Sequence, residues 1–207
     1  MSYKDDVITF LQQPDNLELA FDIYDHLDEA TTGLERRFWE AVGTHIEKRL
    51  GESGATKSSM PWAFISDDWT GMAKDFFGMH IVPTRCLPDP KRYPHVRIQK
   101  EDRNWKLCMG IALYGPKGDG NYDRWKAALA GVRESLKEEG YELAPDHWLG
   151  WKWIDEQGLR DRSVLLAIAR GDGYEEEKAT LVWDLFDRRR TELEQVIAKI
   201  AKMNVNE

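Results

Sequence analysis

The stretch PHVRIQKEDRNWKLCMGIALY, from Pro94 to Tyr114, decides the architecture of this 207-residue chain. Two runs, Pro94 to Lys100 and Lys106 to Tyr114, alternate apolar and polar residues on either side of Glu101-Asp102-Arg103-Asn104. Strand side chains point to opposite faces with period two. A turn at those four residues sets Ile98 opposite Leu107 and Val96 opposite Met109. One face then carries Val96, Ile98, Leu107, Met109, Ile111 and Leu113, and the other carries His95, Arg97, Gln99, Lys106, Cys108, Gly110 and Tyr114. That division specifies a half-buried antiparallel hairpin.

Outward from the hairpin, Gly78 to Val82 reads as a preceding strand and Trp148 to Ile154 as a following one. The latter, WLGWKWI, places Trp151 and Trp153 on one side and Trp148, Lys152 and Ile154 on the other. Between them, Asn121 caps a helix with Trp125, Ala128, Leu129, Val132 and Leu136 on one side, closed by Gly140. Ser163 to Ala169 fits a strand or a buried helix, and Tyr174 to Met203 a long helix. Its positions Val182, Leu185, Val196, Ile200 and Met203 nearly follow a heptad, but Arg189 interrupts the seam. That face is expected to pack on the sheet, with homodimerisation through this helix as the alternative to a monomer.

Upstream, three helices are expected. The first follows Asp5-Asp6 and ends at Pro14; the second carries Leu17, Ala20, Phe21, Tyr24 and Leu27 on one face. The third, Leu34 to Leu50, has Phe38, Ala41, Val42, His45 and Ile46 on its stripe and Gly51 as its stop. The polar run after Gly51 reads as a linker. The expected organisation is a helical segment over 1–50, a linker over 51–60 and an α+β domain over 61–207. The fold class is α+β: N-terminal helices, then a mainly antiparallel sheet packed against two helices, the last one long.

With 42% hydrophobic and 32% charged residues and 9 Trp, the composition is that of a folded chain, which excludes disorder and a disulfide-stapled miniprotein. The longest apolar run, Val164 to Ala169, is far short of the roughly 20 residues of a membrane helix. The N-terminus lacks a signal-peptide pattern, and two cysteines, Cys86 and Cys108, suit a reducing compartment. A cytoplasmic location is expected. Net charge is −8, yet Arg85, Lys91, Arg92, Arg97, Lys100, Arg103 and Lys106 face only Asp89, Glu101 and Asp102. A basic stretch inside an acidic protein is where a phosphate-bearing partner would bind.

Catalytic signatures are sparse. His80, Cys86, His95 and Cys108 lack the close pairs that deliver zinc ligands, and no Gly-x-Ser-x-Gly elbow exists. Gly115 to Gly120 precedes a helix, but it has no Lys-Ser/Thr, and Asp119 and Asp123 would repel phosphate. Asp67-Asp68 with Asp75, Pro88-Asp89 and Glu176-x-Lys178 each fall short of a nuclease carboxylate set. No catalytic residue, metal or cofactor is therefore assigned.

Four features together resemble one family. They are Leu34-Glu35-Arg36-Arg37-Phe38-Trp39-Glu40-Ala41 opening a helix, the hairpin ending Met109-Gly110-Ile111-Ala112-Leu113, the motif Trp148-Leu149-Gly150-Trp151-Lys152-Trp153, and the long closing helix. In this order they resemble the C-terminal region of PD-(D/E)xK nuclease-superfamily proteins associated with bacterial defence and mobile elements, over residues 34–203. The signature acids and lysine have no matching positions. The resemblance therefore implies a free-standing, non-catalytic counterpart of that region.

The expected function is a non-catalytic binding or regulatory module acting on nucleic acid or a protein, in a bacterial or phage defence or mobile-element setting. Arg92, Arg97, Lys100, Arg103 and Lys106 would contact phosphates, and Trp151 or Trp153 would stack or form a hot spot. The alternatives are a diverged metal-dependent nuclease or hydrolase using Asp67, Asp68 or Asp89, and an acidic inhibitor or antitoxin-like factor.

Overall fold

A computed structural model describes residues 3–72, 76–84, 90–101, 105–113, 121–144 and 148–205. Its elements run α1 (Tyr3–Leu11), α2 (Pro14–Glu52), β1 (Trp62–Ser66), β2 (Phe77–Pro83), β3 (His95–Glu101), β4 (Lys106–Ala112), α3 (Asn121–Glu138), β5 (Trp148–Trp153), α4 (Arg162–Arg170) and α5 (Tyr174–Val205). The strands form one sheet in the order β1-β2-β3-β4-β5, every neighbouring pair antiparallel. The fold class is α+β.

The hairpin forms with the expected faces but a different register. Ile98 pairs with Met109 and Val96 with Ile111, because pairing resumes only at Lys106, opposite Glu101. Trp105 has φ of 53°, a left-handed conformation that places it in the connection and not in the strand. The slip amounts to two residues, so each side chain stays on its expected face.

Apolar side chains of β2, β3 and β4, among them Met79, Ile81, Val96, Ile98, Leu107 and Ile111, pack beneath the helices in one core. The helices supply Leu129, Val132 and Leu136 from α3, and Val182, Leu185, Phe186 and Ile197 from α5. Val182, Leu185, Val196 and Ile200 of the α5 seam are thus buried within the chain. Arg189, which breaks the heptad, is buried and donates to Ser135, Glu139 and Glu192, tying α5 to α3.

The second and third expected helices are a single 39-residue helix, α2. It starts with Pro14 in the first turn, where a missing N–H costs nothing, and runs through Gly33, around which no foreign atom lies within 4 Å. The helix stops beyond Gly51, at Ser53 and the left-handed Gly54. Its C-terminal half contributes Phe38, Trp39, Val42, Ile46 and Leu50 to the common core. From Leu34 onward, α2 therefore shares one core with the sheet and the later helices. The stretch read as a linker holds the end of α2 and a short turn with buried Ala55.

Residues 3–34 behave differently. No residue of α1 is buried, and the first buried residue of α2 is Glu35. Ser163 to Ala169 belongs to a helix, α4, capped by Asp161 accepting from the Ser163 N–H at 2.8 Å and closed by Gly171 in the left-handed region. Among the described residues, no helix is long and apolar enough to cross a membrane.

Candidate functional site

The sheet face opposite the helices is polar and buried. His80 of β2, His95, Arg97 and Gln99 of β3, and Cys108 of β4 are each at most 7% exposed. Such a face requires hydrogen-bond partners for its polar groups, because unsatisfied buried groups are costly.

Asp67, just after β1, organises one end of this face. Its Oδ1 accepts from His80 Nε2 at 3.0 Å and Lys91 Nζ at 2.7 Å. Its Oδ2 accepts from the Gly78 N–H at 3.0 Å and from Arg97 at 3.2 Å. Burial opposes ionisation of this carboxyl, but His80, Lys91 and Arg97 outweigh it and hold Asp67 well below the usual carboxylate range. Gly78 is required here: a Cβ would lie 2.9 Å from Arg97 Nε and 2.7 Å from the Ile98 carbonyl oxygen.

His80 Nδ1 lies 3.1 Å from His95 Nε2, and His95 Nδ1 lies 2.8 Å from the Tyr93 carbonyl. The resulting chain, Tyr93 carbonyl to His95 to His80 to Asp67, ends in acceptors on both sides. It has three links, whereas two neutral imidazoles carry two N–H groups. Filling every link takes one additional proton. Burial, followed by the nearby cations, pushes His95 well below its usual value. Burial likewise lowers His80 to about 4, so at neutral pH a neutral His80 ring donates its Nε2–H to Asp67. Cys108 faces Glu101 Oε2 at 3.7 Å, and burial together with Glu101 raises its thiol far above the nucleophilic range.

The residues expected to contact phosphate divide between environments. Lys100 lies on the helix-facing side of β3 and is fully buried, with Nζ 2.7 Å from Glu35 Oε1. It also donates to the Met72 carbonyl and sits 3.6 Å from the Trp105 ring, so it cannot reach a phosphate from this position. Arg97 is committed to Asp67 and lies 5.8 Å from the Trp148 ring. Arg92 is exposed and Lys106 partly so. Arg103 and Arg85 lie outside the described residues. Lys106 Nζ is 5.8 Å from the Trp153 ring, and Trp151 and Trp153 meet edge to face at 5.1 Å.

Trp148 was expected opposite Trp151, but a bulge near Ile111 and Ala112 pairs it with Ala112. It clusters with Cys108, Ala112 and Trp151 on the polar face. One extra residue turns a side chain to the other side of a strand. Close approach of β4 and β5 is permitted by Gly110, where a Cβ would lie 2.1 Å from the Gly150 carbonyl oxygen.

Two carboxylates of the nuclease alternative, Asp67 and Asp68, have structural duties. Asp67 is engaged as described, and Asp68 caps a turn by accepting from the Thr70 N–H at 3.0 Å. Asp75, Cys86 and Asp89 lie outside the described residues, as does the Gly115–Gly120 loop. Among the described residues, no group of three or more His, Cys, Asp or Glu side chains is placed to hold a metal ion.

Sequence reasoning missed the surface that stands out most. Ten large apolar residues of α1 and the first half of α2 are exposed, including Phe21 at 60%, Ile23 at 57% and Leu27 at 51%. Their spacing along one helical face is legible in the sequence, but nothing in it tells whether that face is covered. In comparisons with known proteins the chain matches no family model, and no curated protein and no solved structure is significantly similar to it.

Proposed function

We propose that this chain is a non-catalytic binding module that docks a protein partner through α1 and the first half of α2, and that the partner presents a basic amphipathic helix. The observation that carries this reading is the exposed apolar surface between Tyr3 and Leu27. Soluble monomers rarely leave contiguous apolar patches of more than a few hundred Å² uncovered. The chemistry of the occupant follows from charge. Between Tyr3 and Gly33 there are eight acidic residues against one lysine, Lys4. On α2, Asp15, Glu18, Asp22, Asp25 and Glu29 line up along one side, and all are exposed. Two copies of this arm would repel each other, whereas a basic helix would meet apolar contacts flanked by opposite charge.

The test is titration of a Leu/Lys amphipathic helical peptide into isotopically labelled protein, followed by NMR, with sedimentation measured in parallel. One-to-one binding at residues 3–33, weakened at least tenfold by Phe21→Ser with Leu27→Ser, is the expected result. Those substitutions should leave the melting temperature unchanged, because neither side chain is buried. Equal binding by Asp22→Lys/Asp25→Lys protein, or an arm-mediated dimer, would refute the reading.

The exposed Trp153 beside the half-buried Lys106 favours a second reading, a stacking contact with single-stranded nucleic acid. Oligonucleotide anisotropy across a salt series decides it: binding must weaken with salt and with Trp153→Ala.

A further inference from the structure

The edge strand β1 reads Trp62-Ala63-Phe64-Ile65-Ser66 and carries no charge. Edge strands are ordinarily blunted by lysine, proline or a covering segment, because their free backbone groups recruit other strands. The Thr84 N–H donates to the Pro61 carbonyl at 2.8 Å, and the Asp67 N–H donates to the Gly78 carbonyl at 2.9 Å. By the alternation of an antiparallel ladder, Ala63 and Ile65 bond β2, while Trp62, Phe64 and Ser66 turn N–H and C=O outward. Among the described residues, no strand pairs with that side. The opposite edge of the sheet is partly closed, since Glu142 exchanges backbone hydrogen bonds with Trp151 of β5.

A groove of about 530 Å³ lies between this open edge and α2. Its apolar lining comes from Trp39, Phe64, Trp69 and Met79. Gly43 keeps it open on the helix side, for a Cβ there would approach Phe64 Cε1 to 3.0 Å. Glu40 and Glu47, seven residues apart on α2 and both exposed, border it, and among the described residues no basic side chain lines it.

We propose that this groove binds an extended cationic peptide segment, which adds to the sheet as a strand on β1. Unpaired outward N–H and C=O groups select an extended backbone; every second side chain of the added strand faces α2 and enters the groove, where the apolar floor takes its stem and Glu40 and Glu47 select lysine or arginine at its tip. The site is separate from the α1–α2 arm and does not depend on the arm's partner.

The probe is a capped heptapeptide of alternating lysine and valine, read by Trp fluorescence and calorimetry with the full chain. Saturable one-to-one binding is expected, reduced at least tenfold when alternate peptide nitrogens are methylated on the edge-facing side. Ser66→Pro should give the same loss. It removes an outward N–H while the ladder bonds of Ala63 and Ile65 remain, and proline is tolerated at such edge positions. Glu40→Lys with Glu47→Lys should abolish binding of the lysine peptide and confer binding of its glutamate counterpart. Absence of binding at millimolar peptide overturns the proposal, as does affinity indifferent to N-methylation. A chain dimer that Ser66→Pro abolishes also overturns it, since the occupant is then a second copy. The N-methylated peptide decides the matter on the native sequence if Ser66→Pro fails to fold.

Discussion

Replacing Lys100 by methionine isolates the energetics of a buried cation on the helix-facing side of the hairpin. Lys100 Nζ stands 2.7 Å from Glu35 Oε1, and Trp39 Nε1 donates to the same oxygen at 3.2 Å. Both charged side chains are at most 1% exposed. Burial already raises the Glu35 pKa above its ordinary value of 4.5 despite the offsetting bonds from Lys100 and Trp39. Methionine keeps the stem and removes the ammonium, leaving a buried carboxyl without its cation. Breaking such a pair from one side costs about 3–5 kcal/mol. In a chain of this size that corresponds to a fall in melting temperature of about 10 °C.

The sign of the pH dependence is fixed by the same geometry. A buried carboxyl with a raised pKa holds its proton in the folded state when the unfolded chain has released it. The penalty is absent below the ordinary glutamate value of 4.5 and grows as pH rises through and above it. For Lys100→Met the loss should therefore shrink on acidification, by up to about 1.4 kcal/mol per pH unit. Glu35→Leu with Lys100→Met should recover most of the stability, since a matched apolar pair leaves nothing to desolvate. Urea unfolding at about pH 7 and about pH 5 measures all three variants. A cost below about 1 kcal/mol at neutral pH, or one identical at both pH values, would refute the assignment of Lys100 as the buried partner of Glu35.

Two further outcomes can be measured directly. Asp67 is held below its ordinary value of 3.8, so its carboxylate stabilises the fold above that pH and ceases to as pH falls below it. Asp67→Asn should therefore cost about 2 kcal/mol at neutral pH and almost nothing in strong acid, as measured by denaturation at several pH values. Gly33→Ala should stabilise by about 0.5–1 kcal/mol, as alanine does in an open helix interior, whereas Gly110→Ala should cost several kcal/mol because its Cβ would meet the Gly150 carbonyl at 2.1 Å. Calorimetry on the two variants gives opposite signs if both environments are correctly described.

Much of the fold was legible because it depends on local periodicity. Alternation assigns the paired side chains of His95–Glu101 and Lys106–Ala112 to their observed faces even though the register differs by two. The error came from Trp105, whose left-handed backbone no propensity argument would assign to a tryptophan. Parity also placed Lys100 with Val96 and Ile98, so its burial was readable from the sequence. It was overlooked because a lysine in a basic stretch was taken as surface charge. The expected separation of the second and third helices is absent from the fold: the single Gly33 inside α2 costs a helix about 1 kcal/mol, which a buried C-terminal half easily overrides.

The candidate sites were less legible, for a physical reason. Sequence alone determined the α+β class, the antiparallel hairpin with its two faces, the long closing helix, and an acidic chain with one local basic excess. Each of these follows from short-range spacing or from counting. Only the tertiary structure decided which charges are spent on one another: Asp67 gathers His80, Lys91 and Arg97 from separate segments. It also decided that, among the described residues, nothing covers the apolar stripe of α1 and early α2, while the stripe around Phe38 and Val42 lies in the core. Two apolar stripes at the same helical spacing differ in whether a sheet lies beneath them, and that is settled by distant parts of the chain.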